Sequence, residues 1–349
     1  MKREIILQDL ENIYKRSIPW KQLNGKTVFI TGAYGMLASY MIYMLIYLNE
    51  KYNAGIRIIS VVRSAEKFRE RFGEYADKEY MIMVTEPLEK EFDIEESVDI
   101  IIHAASYASP QYYGVCPVDV LKPNVIGSYY LLELAVRKKV QCYLQFSTGD
   151  VYGLVDGTDT IQENTCGIMN PLDIHSCYSE SKRMAETMCY SYYFQYKVPV
   201  KILRIWHTYA PTMDIQKDPR VFASFVRDVI NHKDIIMKSD GTSARSFCYI
   251  ADAVAGYFTV LLKGEKGQAY NVCNTKEFYE IRKLAEIIAS LRPELDLKVV
   301  TAMRKKEENY VENTVGSKVA PDDFKLRSLG WRPEFCVREG FERILKALE

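Results

Sequence analysis

The chain has 349 residues, enough for one large or two modest domains with a full core, and its 46 Lys and Arg balance 46 Asp and Glu. That neutrality excludes the charge footprint of a protein built to bind nucleic acid or an anionic membrane. Cys116, Cys142, Cys166, Cys177, Cys189, Cys248, Cys273 and Cys336 form no CxxC pair and the four histidines are scattered, so reduced thiols are expected and no metal site. The N-terminus, MKREIILQDLENIYKR, is charged throughout, unlike a secretory signal, and the most apolar run, residues 36–48, is shorter than the about 20 residues of a membrane span. A cytoplasmic protein is expected.

Residues 1–25 read as an amphipathic helix (Ile5, Ile6, Leu10, Ile13, Tyr14) and a linker through Pro19, a packing or dimer-contact element. The stretch KTVFITGAYGMLASY, residues 26–40, then gives a short apolar strand, Gly32, Gly35 and Ala38, and a helical run from Met36. Strand, glycine turn and helix are the arrangement that holds a dinucleotide pyrophosphate. Gly32 allows the tight turn, Gly35 lets backbone N–H groups approach the phosphates, and the helix N-terminus adds positive potential. Tyr34, Met36 and Leu37, in and after the turn, belong to the same expected site.

Apolar strands are expected at 56–62, 81–84, 98–105, 140–148 and 200–206, with helices at 118–138 and 179–196 between them. Pro123 interrupts the first of these helical stretches. Near-continuous apolar strands separated by helices indicate a doubly wound parallel sheet, a Rossmann-like α/β fold. Beyond about residue 207 Pro211, Pro219 and Gly241 punctuate shorter elements, and helices at 281–291 and 338–348 flank the charged stretch 304–312. The expected organisation is an N-terminal helix and linker (1–25), a dinucleotide-binding domain (26–206) and a smaller C-terminal α/β domain, mainly substrate-binding (207–349), with crossovers between the two allowed.

The second strand ends Val61-Val62-Arg63-Ser64, where an acidic residue would take the ribose 2′-OH of NAD and an arginine would accommodate the 2′-phosphate of NADP. Arg63 with Ser64 tilts the choice toward NADP; the alternative is a surface arginine and an NAD site without its usual carboxylate. The fourth strand runs into His103, then Ala104, Ala105 and Ser106, small residues that would let the chain pass close to a cofactor, with His103 expected as a packed structural histidine.

Tyr178 and Lys182, four apart at the start of an expected helix, share one helix face. An ammonium beside a phenol lowers the phenol pKa, which suits tyrosinate as a base. Tyr47 and Lys51, Tyr193 and Lys197, and Tyr279 and Lys283 repeat the spacing within or beside ordinary helices, where an exposed lysine next to a packed aromatic is the simpler reading. Tyr178 differs because the strand at 140–148 ends in Ser147-Thr148, at the sheet edge where such folds bind ligands.

From about residue 25 onward the chain resembles the extended short-chain dehydrogenase/reductases that modify nucleotide sugars: epimerases, 4,6-dehydratases and UDP-glucuronate decarboxylases. The motifs TGAYGMLAS (31–39), HAASYASP (103–110), FSTGDVYG (146–153), CYSESK (177–182), RIWHTYAP (204–211) and SDGTSARSFCYIAD (239–252) occur in that family's order. The decarboxylase branch is most similar, through Glu86-Pro87-Leu88, residues 105–110, AETMC (185–189) and the Arg245 segment. The resemblance implies Tyr178 as base, Lys182 as its partner and nicotinamide-ribose contact, and Thr148 as the hydroxyl bridging sugar O4. Asp150 would be either a further catalytic group or a loop residue, Ala104, Ala105 and Ser106 cofactor contacts, and Ser109, Thr148, His207 and Arg245 substrate contacts. Arg220, after Asp218-Pro219, is either a phosphate or carboxylate ligand for the substrate or a surface arginine. Asn124 matches the asparagine of the helix after the HAAS strand.

Several positions depart from the family pattern. Dehydratases carry Asp-Glu after the catalytic threonine, whereas Gly149-Asp150 stands here, which disfavours dehydration. Decarboxylases have glutamate where Asp150 stands, and His207 replaces the usual asparagine. Met83 stands where an adenine-binding aspartate is usual, and Thr212 where relatives often carry arginine. The leading expectation is a C4-oxidising nucleotide-sugar enzyme working through a 4-keto intermediate, as decarboxylase or 4-epimerase. The alternatives are an NADPH-dependent nucleotide 4-keto-sugar reductase and a non-catalytic dinucleotide-binding protein. In the resembling family the helices corresponding to 118–138 and 182–196 form a four-helix interface, so a homodimer is expected.

Overall fold

The computed structural model describes residues 3–155, 160–302 and 319–349, and the charged stretch 304–312 lies outside the described residues. Seven strands form one sheet in the order Gln268–Val272, Val200–Ile205, Cys142–Thr148, Ile100–His103, Thr27–Thr31, Arg57–Val61 and Met81–Val84. All six pairings are parallel. Thr27–Thr31 and Cys142–Thr148 are buried at every residue, as strands covered on both faces must be. Helices lie on both faces, so the expected Rossmann-like doubly wound sheet is the fold. The strand order reverses beside Thr27–Thr31, which opens a crevice at the carboxyl ends of the strands.

The last strand of this sheet, Gln268–Val272, comes from beyond residue 207 and pairs with Val200–Ile205. The chain leaves Val200–Ile205 through Trp206 directly into His207–Tyr209, an edge strand of a second sheet with Ala244–Tyr249 and Phe278–Glu280. Because Thr148 pairs with Ile205, that exit carries Trp206 and His207 to the same sheet edge as Thr148.

The N-terminal helix, Arg3–Lys15, buries Ile6, Leu10 and Ile13 in the main core. From the same helix the buried Asp9 accepts hydrogen bonds from Tyr40 (3.0 Å), Tyr249 (2.8 Å) and Arg343 (2.6 Å). One carboxylate therefore joins this helix to the glycine-turn helix, the second sheet and the last helix, Val337–Leu348. Losing either partner of such a buried pair leaves a bare charge, so the helix is anchored electrostatically as well as by its apolar face.

Pro123 does not end its helix. Pro117–Lys122 continues through a π turn at Pro123–Gly127 into Ser128–Lys138. The wider turn accommodates a residue with no N–H to donate, and the Pro123 carbonyl meets His103 Nε2 at 2.9 Å. All eight cysteines are free. Among the described residues no helix is long and apolar enough to cross a membrane.

Candidate active site

Gly32 has φ +68°, and a Cβ there would lie 2.8 Å from the Ala105 Cα, so the glycine turn sits against the chain leaving Ile100–His103. Thr31 fixes this approach: its hydroxyl accepts the Ala104 and Ala105 N–H groups, each at 3.1 Å, and lies 2.8 Å from His103 Nδ1. Since the Pro123 carbonyl only accepts, the network assigns the hydrogen to His103 Nε2 and leaves Nδ1 to accept from Thr31. Burial, with Lys182 nearby, pushes the His103 pKa down to about 3, so the ring is neutral and structural. Gly35 opens the helix Met36–Tyr52 without a side-chain cap, which leaves first-turn N–H groups for an external acceptor. Tyr34, Met36 and Leu37 are half-buried around this turn. The Ser106 and Ser109 hydroxyls are buried without a protein partner among the described residues.

At the end of Arg57–Val61 the side chains are already engaged. The Arg63 guanidinium lies 4.4 Å from the Tyr107 ring centroid and hydrogen-bonds its hydroxyl. The Ser64 hydroxyl accepts the Lys67 N–H at 3.2 Å, capping the helix Ala65–Phe72.

The helix Ser176–Tyr196 delivers Tyr178 and Lys182 to the end of Cys142–Thr148. Lys182 Nζ donates to the Phe146 carbonyl at 2.7 Å and lies 6.0 Å from the Tyr178 ring centroid. Burial pushes the Lys182 pKa down to about 7, against Glu186 and Cys189. Tyr178 moves opposite to the sequence expectation: burial and then Asp150 raise its pKa above the usual phenol range, and a hydrogen bond with Thr148 works against them. Lys182 is not among the groups acting on it, since the lysine's own pKa is pushed down to about 7 and it is neutral before the phenol titrates. Burial likewise raises the Asp150 carboxyl, opposed by Arg245 and Thr148. Asn124 donates to Ser181 at 2.9 Å and to the Val120 carbonyl at 3.0 Å, tying the π turn to this helix.

Thr148, Asp150, Tyr178 and Lys182 are thus brought together, and Arg245 joins them through Asp150. His207 is held neutral, its pKa pushed down to about 3 by burial, then Arg245, then Arg220. Arg220 sits elsewhere in the cleft. It grips Asp218 at two points (2.9 and 2.6 Å), donates to the Thr208 carbonyl at 3.2 Å and reaches Met36 at the glycine turn. Arg63 and Ser64 are not joined to the Thr148, Asp150, Tyr178 and Lys182 group.

Sequence reading missed three features. Tyr113 stacks on Tyr178 with centroids 5.2 Å apart and planes 12° apart; only its place in a tyrosine-rich run could have pointed to it. Trp206 fills the space beside Gly149, which no local pattern announces. Glu186, bonded by Ser147 and Arg204, follows Lys182 by one turn, a spacing that was legible. Chemically the assembly offers a phenol, a hydroxyl, an ammonium and a carboxyl at one sheet edge, beside a turn shaped for phosphate.

A UDP-glucuronic acid decarboxylase of Arabidopsis thaliana is 34% identical to this chain over 317 residues, covering 90% of this chain and 86% of that protein. The human dTDP-D-glucose 4,6-dehydratase is 26% identical over 345 residues, covering 94% and 92%. The structure of UDP-glucuronic acid 4-epimerase from Bacillus cereus, in complex with UDP-glucuronic acid and NAD, superposes with a TM-score of 0.75 at 20% identity, covering 92% of this chain and 98% of that one. Residues 28–273 match the model of the NAD dependent epimerase/dehydratase family, so this chain belongs to that family and is an extended short-chain dehydrogenase/reductase enzyme.

Proposed function

We propose that this enzyme oxidises a nucleotide-activated sugar at C4 through a 4-keto intermediate, with UDP-glucuronate decarboxylation as the leading reaction. The observation that carries the reading is the convergence of Thr148, Tyr178 and Lys182 at the carboxyl edge of the sheet, next to the Gly32–Ala105 contact. The likeness to UDP-glucuronic acid decarboxylases supports the substrate.

The turn fits a dinucleotide: Gly32 leaves a cradle that a Cβ would close, and among the described residues the helix behind Gly35 has no side-chain cap and the Ser106 hydroxyl has no partner. Gly32, Tyr34, Gly35, Met36, Leu37, Ala104, Ala105 and Ser106 would hold it, with Lys182 on the nicotinamide ribose. We take the dinucleotide as NAD, since Arg63 and Ser64, which favoured NADP, have protein partners. When bound, it would supply a hydride acceptor and, later, a hydride donor for C4.

Tyr178 takes the proton of the C4 hydroxyl, and Thr148 holds O4 in line with it. Tyr113, stacked on Tyr178, excludes water from one ring face and fixes the hydroxyl. Arg245, facing Asp150, is the cation suited to a C5 carboxylate, and a 4-keto sugar bearing that carboxylate is a β-keto acid that loses CO2. Ser109, His207 and Arg220 would line the nucleotide and sugar path. The exposed Val118, Leu121, Tyr129, Met184 and Phe194 on the two neighbouring helices support a homodimer with a four-helix interface.

The test has two steps. Denatured protein is analysed by mass for released dinucleotide, and UDP-glucuronate labelled at the carboxyl carbon is then incubated with wild type and Tyr178→Phe. Bound NAD and labelled CO2 from wild type, with a loss of about 10²–10⁴-fold in the variant, is the expected outcome. UDP-galacturonate without CO2 would make it an epimerase, and stoichiometric NADPH consumption a reductase. An equally active Tyr178→Phe would overturn the reading.

A further inference from the structure

Three successive residues at the end of Cys142–Thr148 each reach the helix Ser176–Tyr196. Phe146 accepts from Lys182 at 2.7 Å, Ser147 donates its hydroxyl to Glu186, and Thr148 faces Tyr178. Tyr178, Lys182 and Glu186 follow one another at one-turn spacing along a single helix face. Glu186 is held at two points by Arg204, with Nε 3.1 Å from Oε1 and Nη2 2.7 Å from Oε2. Arg204 is itself fixed by the Glu163 carbonyl at 2.8 Å and by the Tyr152 ring, 4.8 Å away. The pair is largely buried, its side chains 15% and 11% exposed, so this carboxylate cannot turn out to solvent.

Resting on the reading of Tyr178 and Lys182 above, we propose that Glu186 is a positioning residue that keeps the buried Lys182 ammonium charged beside Tyr178, with Ser147 and Arg204 fixing its carboxylate.

Lys182 is 2% exposed and has exchanged its hydration for one carbonyl. Desolvation favours loss of its proton, and Glu186 is the leading group acting the other way. The remaining facing groups do not replace it. Cys189 and Tyr178 on the same helix are raised by burial and stay neutral, and His103 from Ile100–His103 is neutral too. Arg204 from Val200–Ile205 is a cation spent on Glu186, and Asp150 from the turn at Gly149–Tyr152 acts on Tyr178 and is opposed by Arg245. The two-point grip by Arg204 orients the carboxylate, and Arg204 is not itself among the groups acting on Lys182.

The test reads Lys182 directly, by 13Cε NMR titration of lysine-labelled full-length protein, its resonance assigned by disappearance in Lys182→Arg. Glu186→Gln keeps the size, and its one oxygen still accepts from Ser147 and Arg204 Nε while the Nη2 contact is lost. Its Lys182 midpoint is expected about one pH unit or more below wild type. Glu186→Asp keeps the charge at shorter reach and is expected in between, and it decides the matter if the glutamine variant fails to fold. Midpoints equal to wild type in the folded variants would overturn the proposal. No turnover is needed, so inactivity toward UDP-glucuronate would count against the proposed reaction and leave the titration readable.

Discussion

Gly149 lies against the indole of Trp206: a Cβ at position 149 would sit 2.8 Å from two ring atoms. Trp206 cannot easily yield, because its Nε1 donates to Asn271 at 3.2 Å and its ring stacks on Tyr152 with centroids 6.0 Å apart. The position after Thr148 therefore has no room for a carboxylate. Gly149→Asp is expected to destabilise the fold by about 1–3 kcal/mol in urea denaturation without producing dehydration of a nucleotide sugar. Adding Trp206→Ala should return part of that stability, since the space is then open.

The neutral histidines set an acid limit. His103 and His207 both have pKa values pushed from 6.5 to about 3. Below 6.5 the unfolded chain takes up protons that the folded chain refuses, so stability falls as pH drops from 6.5 toward 3, and these groups cost nothing above that window. His207→Asn removes one of the two. Its urea midpoint should fall less than that of wild type between neutral pH and pH about 4, and an equal fall would count against a neutral, half-buried His207.

The proposed preference for NAD rests on the contact between Arg63 and Tyr107. Arg63 is stacked on Tyr107 and bonded to its hydroxyl, so a 2′-phosphate would have to compete with the ring. Tyr107→Leu is expected to raise NADP affinity about tenfold while moving NAD affinity little, by isothermal titration. Arg63→Ala in that background should abolish the gain.

The helix Ser176–Tyr196 leaves Met184 49% and Phe194 71% exposed. Phe194→Asp combined with Met184→Glu is expected to convert a dimer to a monomer in light scattering, with the helical circular dichroism unchanged. A monomeric wild type would remove the dimer from the reading.

Much of the fold was written in short-range pattern. The strand at Thr27–Thr31, the turn at Gly32 and Gly35, and the helix from Met36 follow from neighbours a few residues apart, as does the shared face of Tyr178 and Lys182. Apolar strands alternating with helices require a parallel sheet, and a parallel sheet places Thr148 and Tyr178 at one edge. Such features depend on backbone dihedrals, helical period and the burial of both sheet faces, all of which a linear string carries.

Only the tertiary structure decided which distant side chains meet. The pairing of Thr148 with Ile205 brings Trp206 against Gly149, and the approach of residues 104–105 to Gly32 brings Tyr107 within reach of Arg63. Asp9 is answered by Tyr40, Tyr249 and Arg343, from three elements far apart in the chain. Even the direction of the Tyr178 shift was hidden, because spacing places an ammonium near a phenol but says nothing of the Phe146 carbonyl that holds it or of the burial that outweighs it. Pairwise contacts of this kind come from strand order and crossover geometry, and desolvation depends on everything packed around a group, so neither can be read from the residues on its flanks.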